Sequence, residues 1–308
     1  MRGEKGFALV LTLVVTALMV AAAVELIYQV YVDISLNRSF RDGQQASILA
    51  DSGVYGGIKL LNLSISGQGY TSLFDKWAVP FKQEDDTGRI EIAITEESGK
   101  INLNALVKAD NSVNQATLAI LEGLGAQLQI PNSVWNALAD WIDTDDIPSA
   151  GGAETSYYKT LNPPYSARNG RMTTLNELAL VKGFTTDMVA KLGPFVTVYA
   201  NQGSSLVAQN VTVNVNTAPK EVLMALDPRI TSSMAEQILE QRKLAPFKTV
   251  GDLSSRVNPL FTSIIGLTCQ GTVFRIAARG FVKDAARTIE VVVRTDGSSS
   301  SILSWQEY

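Results

Sequence analysis

Between Phe7 and Val24 the chain places eighteen residues without a charge. A helix of that run rises about 27 Å, close to the thickness of one hydrocarbon core, so it predicts a membrane span. Past it, Leu26, Ile27, Val30 and Ile34 recur at helical spacing, and no proline interrupts the pattern before about Leu61. This predicts one continuous helix of roughly 80 Å, the length of a stalk or filament subunit. Along its second half Ala46, Ala50, Gly53 and Gly57 make a stripe of small residues. Such a stripe accepts a neighbouring backbone or packs on the chain's own sheet. The helix breakers of SISGQG, Ser64 to Gly69, end it.

The period then changes. RIEIAIT, Arg89 to Thr95, sets Ile90, Ile92 and Ile94 on one face of a strand, and VAQNVTVNV does the same with Val211, Val213 and Val215. VFRIAARG and TIEVVVR alternate again and read as an antiparallel hairpin joined through FVKDAAR. Helical patterns fill the blocks between, from about 104 to 192 and from about 219 to 257. The predicted class is α+β, with helices inserted into a sheet that earlier and later strands complete. INLNAL at Ile101 and VNVNTAPKEVLMAL at Val213 echo one another, each passing from an extended Asn-x-Asn into a helix. Asn104 and Thr217 then read as helix caps.

Charge orients the span. Arg2 and Lys5 precede it, and basic residues stay cytoplasmic, so the remainder lies on the far side of a single-pass protein. Three processing readings stand beside one another: a secretory signal cut near Ala21, Ala22 and Ala23, a plain signal anchor, and a leader cut between Gly6 and Phe7. The helical continuation after Val24 favours the third, because a signal peptidase site is followed by a polar break.

The net charge of −4 gives no general reason to bind nucleic acid. With no histidine, Ser-His-Asp and Cys-His catalysis and His-ligated zinc are excluded. Cys269 is the only cysteine, closes no intrachain disulfide, and is expected as a buried thiol. LNELALVKGF and AEQILEQRKLAPFKTVGDL resemble halves of helix-hairpin-helix modules, but the turn Lys182, Gly183, Phe184, Thr185 lacks a second glycine, and only Arg242, Lys243 and Lys248 cluster near the other. They are expected as packing modules.

The most chemical stretch is ALADWIDTDDIPSAGGAETSYY. Asp140, Asp143, Asp145, Asp146 and Glu154 crowd five carboxylates between residues 140 and 154, with no Lys or Arg before Lys159. A preceding helix with Val134, Leu138, Trp141 and Ile142 on one face would anchor them, and Pro148, Gly151 and Gly152 bend the loop. All-oxygen ligands suit calcium. Asp143, Asp145 and Glu154 fall at positions one, three and twelve of an EF-hand loop, yet Ile147 and Pro148 spoil positions five and six, so this is not an EF-hand. The alternatives are a calcium site and a solvated acidic loop.

These features together resemble the protein K minor pseudopilins of type II secretion systems, in the type IV pilin superfamily. The carriers are the KGFALVLTLVV junction, INLNAL, the ADWIDTDD to GGAETSYY loop with NPPYSARNG, LNELALVKGF and VNVNTAPKEVLMAL. The resemblance implies a leader over 1–6 removed by the prepilin peptidase at Gly6 and Phe7, with methylation of the new terminus. It implies a transmembrane and stalk helix over 7–62 in the bacterial inner membrane and a periplasmic C-terminal domain. That domain divides into a first sheet region over 63–98, an inserted helical domain over 99–205, a strand and second helical module over 206–262, C-terminal strands over 263–297 and a Ser-rich tail over 298–308. Further implications are a non-enzymatic role at the pseudopilus tip, I-type and J-type minor pseudopilins and other pseudopilins as partners, and calcium on the acidic loop. The metal role carries over to Asp143, Asp145 and Glu154 first, then to Asp140 and Asp146. Leu11 departs from the superfamily pattern, in which most members have glutamate at the fifth residue after the cut. Two other classes remain as alternatives, a nucleic-acid-binding component of a type IV uptake pilus and a membrane-anchored hydrolase.

Overall fold

The computed structural model describes residues 4–199 and 211–308. Arg2, the 205/206 boundary and the VAQN start of the expected second strand lie outside the described residues, as does the side chain of Lys5. Helix α1 runs unbroken over Glu4–Ile65, 62 residues and so about 93 Å. Among the described residues it is the one helix long and apolar enough to cross a membrane. Its apolar half is exposed, and burial begins at Asp42, whose carboxylate meets Lys283 Nζ at 2.7 Å.

From there α1 lies across an antiparallel sheet of five strands in the order β1-β2-β7-β8-β9. These are β1 (Phe81–Asp85), β2 (Gly88–Glu96), β7 (Val273–Val282), β8 (Ala285–Thr295) and β9 (Ser300–Glu307). The small-residue stripe packs on this sheet. A Cβ on Gly57 would stand 2.9 Å from Ile276 Cγ2, and one on Gly280 of β7 would stand 2.0 Å from the Ala46 carbonyl oxygen. Leu61, Ile65, Trp77, Ile92, Ile276 and Val291 fill the core between helix and sheet. Gly280→Ala should therefore force β7 off α1 and cost about 1–3 kcal/mol, read as a lower denaturation midpoint.

β2 and β7 pair side by side although residues 97–272 separate them in sequence. Among the described residues every α-helix beyond α1 is inserted there, as two modules of one plan. In the first, β3 (Ile101–Asn102) pairs in parallel with β4 (Val196–Thr197), enclosing α2 (Gln115–Leu128), α3 (Ser133–Ile142), α4 (Thr155–Tyr158) and α5 (Thr186–Leu192). In the second, β5 (Val213–Asn214) pairs in parallel with β6 (Leu267–Thr268), enclosing α6 (Lys220–Leu226), α7 (Ser232–Leu244) and α8 (Val250–Arg256). The modules meet through equivalent helices, where Gln127 Nε2 of α2 donates to the Glu221 carbonyl of α6 at 3.2 Å.

The Asn-x-Asn echo has a physical basis that differs from capping. Asn104 sits inside a 3-10 turn over Leu103–Ala105; its Nδ2 donates to the carbonyls of Met172 and Val198, and its Oδ1 accepts from Met172 N–H at 2.8 Å. Asn216 does the same for the second module: Nδ2 donates to the carbonyls of Phe247, Thr71 and Cys269, and Oδ1 accepts from Phe247 N–H at 2.8 Å. Thr217 is not a cap either, since Pro219 holds that position before α6 and Thr217 Oγ1 donates to Glu96.

Three further expectations are corrected. The strand expected across Val211 to Val215 is formed only at Val213–Asn214, because its partner is equally short. The block from 104 to 192 is broken into short helices by the acidic loop and the turns around it. Residues 298–308 are not simply a tail, because Ser300–Glu307 adds strand β9 to the sheet with Trp305 against Tyr55 of α1.

Glu96, at the end of β2, joins the second module to the sheet. Its carboxylate accepts from Thr71 Oγ1, Asn214 Nδ2 and Thr217 Oγ1, and Gly271 leaves no room for a Cβ beside it. Burial pushes its pKa up to about 7 against the three donors, with the Asp75 charge adding to the rise. The adjacent Glu97 points elsewhere, paired with Lys100 and Arg275. A pKa raised on folding means that stability is greatest below the unfolded value and falls as pH rises through about 7. The wild type should thus lose about 3 kcal/mol relative to Glu96→Gln between pH 4.5 and 8, measured as the difference between their denaturation curves.

Candidate metal centre

Eight of the ten residues of α3 are buried, six of them in a row from Ala137 to Ile142, so its last turn carries acids into the interior. Asp140 and Asp143 are three residues apart, hence on one face, and the chain returns through Pro148 and Gly152 to place Glu154 at the start of α4. One carboxylate oxygen from each of Asp140, Asp143 and Glu154 lies within 4.8 Å of the others, and all three residues are buried. Beside them Trp141 meets Tyr158 and Tyr165 edge-on, and the two tyrosines stack on each other.

Asp140 is partly satisfied, since both its oxygens accept from the Ser149 N–H. Among the described residues Asp143 Oδ1 and both oxygens of Glu154 have no hydrogen-bond partner. Burial pushes Asp143 up to about 6, aided by Asp145 and Asp140, and pushes Glu154 up to about 7, aided by the other four acids. Lys182 is spent on backbone beside the loop, its Nζ donating to the carbonyls of Gly151 and Gly152. A Cβ on Gly152 would sit 2.0 Å from Asp140 Oδ2, so the loop closes over the carboxylates only with glycine there. Orphaned, buried, all-oxygen and anionic, this donor set fits a hard divalent cation and suits the flexible coordination of calcium.

The five acids expected as one cluster separate. Asp145 is exposed and folds back to accept from Ile147 N–H, and Asp146, also exposed, accepts from Asn169 Nδ2. Asp140 belongs to the converging group and Asp145 does not. Asn169 was not singled out from sequence. Its Nδ2 also donates to the Asp145 carbonyl, and its Oδ1 is buried without a partner, in a left-handed backbone (φ 45°). The NPPYSARNG stretch signals it only through asparagine-glycine at a turn.

The remaining candidates are placed as follows. Gly6, Phe7 and Leu11 lie on the exposed first turns of α1. Cys269 is buried, with its thiol pushed up to about 12 by desolvation. Arg242 is bound to the carbonyls of Val215 and Ala218.

Two family models, both described as Type II secretion system (T2SS), protein K, match residues 99–201 and 213–260, close to the two modules. Type II secretion system protein K of Pseudomonas aeruginosa is 30% identical over 273 residues, covering 84% of this chain and 78% of the relative. That of Pectobacterium carotovorum is 28% identical over 257 residues, covering 78% and 75%. Among solved structures, a chain of the GspK-GspI-GspJ complex from the enterotoxigenic Escherichia coli type 2 secretion system superposes with a TM-score of 0.75 at 21% identity, over 88% of this chain and 99% of that one. The α+β fold, with its long apolar helix, sheet and helical insertion, is that of this neighbour. With two modules matched and a relative this similar over most of its length, the chain belongs to the type II secretion system protein K family.

Proposed function

We propose that this chain is a non-enzymatic minor pseudopilin that initiates and caps the tip of a type II secretion pseudopilus, in support of protein export across the outer membrane. Leu11 carries the reading. In most of the pilin superfamily a glutamate there is thought to meet the amino-terminal amine of the subunit ahead. A tip subunit has no subunit ahead, and an unpaired carboxylate in an apolar span would cost about 2.5–3.5 kcal/mol. Leucine avoids that cost, and the two helical modules inserted between β2 and β7 add bulk suited to a cap. The solved neighbour contains GspI and GspJ beside GspK, which supports I-type and J-type minor pseudopilins as partners here. The span then sits in the inner membrane with the sheet and modules in the periplasm. Labelled electron microscopy tests the role: label should appear at filament ends, and regular label along the shaft would refute it.

Calcium on Asp140, Asp143 and Glu154 is part of the same proposal, with Asn169 and Asp145 next to the site. The cation would neutralise the cluster and fix the acidic loop against α3, and it has no chemical step to perform. For processing, the cut lies between Gly6 and Phe7. A Cβ on Gly6 would meet nothing within 4 Å, so this fold does not call for glycine there, whereas a peptidase closing on the backbone does. Gly6→Val should leave the precursor uncut, and mass analysis of the wild-type protein should find Phe7 first; a terminus near Val24 would overturn this.

A further inference from the structure

The loop that follows α1 holds two large apolar side chains out into solvent on a locked frame. Asp75 accepts from Ser72 N–H at 2.8 Å and from Trp77 Nε1 at 3.1 Å, and Phe74 N–H donates to Ser72 Oγ. Trp77 is itself clamped edge-on against Phe274, in the core shared with Leu61 and Ile65. Between these anchors Leu73 is 55% exposed and Phe74 62%. An unconstrained loop could turn them inward; this one has its turn fixed from both sides.

The pair forms one wall of a cleft of about 190 Å³ whose other wall is Leu239, Arg242 and Lys243 from the end of α7, with Pro246 just beyond it. That is below the size of a small-molecule site and suits one apolar side chain of a docked segment. In a chain of net charge −4, two cations and, among the described residues, no carboxylate line this cleft. Arg242 is fixed by the carbonyls of Val215 and Ala218 and keeps its charge at the wall. Lys243 pairs with Glu240, about two-thirds exposed on both sides, which holds it weakly. The cleft lies beyond the end of α1 at Ile65, 41 residues and so about 60 Å along the helix from Val24, at the end away from the membrane.

We propose that this cleft is a docking site for an extended segment of a partner protein in which a large apolar side chain is flanked by carboxylates. Leu73, Phe74 and Leu239 take the apolar group, and Arg242 and Lys243 meet the acids. The site is separate from the acidic cluster and from Leu11, so it stands whether or not the tip role does.

The full chain in nanodiscs of zwitterionic lipid, tested by equilibrium dialysis, decides it. The probes are three blocked pentapeptides: Glu-Glu-Phe-Glu-Glu, Lys-Lys-Phe-Lys-Lys and Glu-Glu-Ser-Glu-Glu. The first should bind at least tenfold more tightly than either other. Phe74→Ser and Lys243→Glu should each weaken it at least fivefold with unchanged melting, whereas Ile265→Ser, at a still more exposed apolar residue outside the cleft, should not. Equal binding of the three peptides, no binding of any, or indifference to Phe74→Ser would overturn the proposal. So would self-association of the chain that Phe74→Ser abolishes, which would give the cleft to a second copy.

Discussion

Calcium should raise the melting temperature of the full chain by several degrees, and EGTA should remove the whole gain. A ligand that binds only the folded state stabilises it by about 2.7 kcal/mol at a hundredfold excess over Kd. For a domain of this size that corresponds to a shift of roughly 5–10 °C. The source of the effect is visible in the orphaned oxygens of Asp143 and Glu154, which without a cation are buried beside like charges. The double variant Asp143→Asn, Glu154→Gln keeps the packing and removes two of the charges. It should melt higher than the wild type in EGTA and should not respond to calcium. Asp145→Asn should change the calcium response little, because Asp145 is outside the converging group. Gly152→Ala should be severe, since its methyl would occupy the position of Asp140 Oδ2. Identical wild-type melting in EGTA and in 10 mM calcium would end the metal reading.

Much of this architecture is legible before any coordinates. The span, the long helix and the hairpin of β7 and β8 follow from periodicity alone, because a helix of 62 residues and strands of ten or eleven repeat their pattern many times. The acidic loop is legible as composition. Which of its acids converge is not, because loop spacing places acids along an extended chain, whereas Asp140 and Asp143 come together from the end of a helix, where residues three apart share a face. β9 is missed for a related reason: Ile302 and Trp305 are too few among serines to outweigh a polar tail. From sequence the small-residue stripe is open between two partners, and the close approach of Gly57 to Ile276 and of Gly280 to Ala46 decides for the chain's own sheet. The two modules show faintly as an echo of Asn-x-Asn, but the asparagines bond to residues 31 to 145 positions away, and no local pattern carries that distance.

Asn216→Ala should destabilise the second module by about 3–5 kcal/mol, at the upper end for one substitution. The side chain is buried, and its amide group does what a strand would otherwise do, pairing both the N–H and the carbonyl of Phe247. Removing it leaves those two backbone groups unsatisfied, each costing about 1–3 kcal/mol. It also takes one bond from the Thr71 carbonyl and one from the Cys269 carbonyl, which still accepts from Thr71 N–H. Asn216→Asp should be no milder, because it keeps the acceptor for Phe247 but turns a carboxylate oxygen toward three carbonyls. Thr217→Ala, at a half-buried hydroxyl with one bond to Glu96, should cost no more than about 1.5 kcal/mol. Hydrogen exchange locates the damage: in Asn216→Ala, protection should fall across α6, α7 and α8 while α2 and α3 keep theirs, and Asn104→Ala should give the reverse. Because Asn216 also ties the second module to Thr71, the same variant should loosen the cleft between Phe74 and α7, and peptide binding there should fall with the lost protection. Uniform loss of protection in both modules would mean that they unfold as one unit through α2 and α6, and a change in stability below 1 kcal/mol would mean that the asparagine does not hold the module at all.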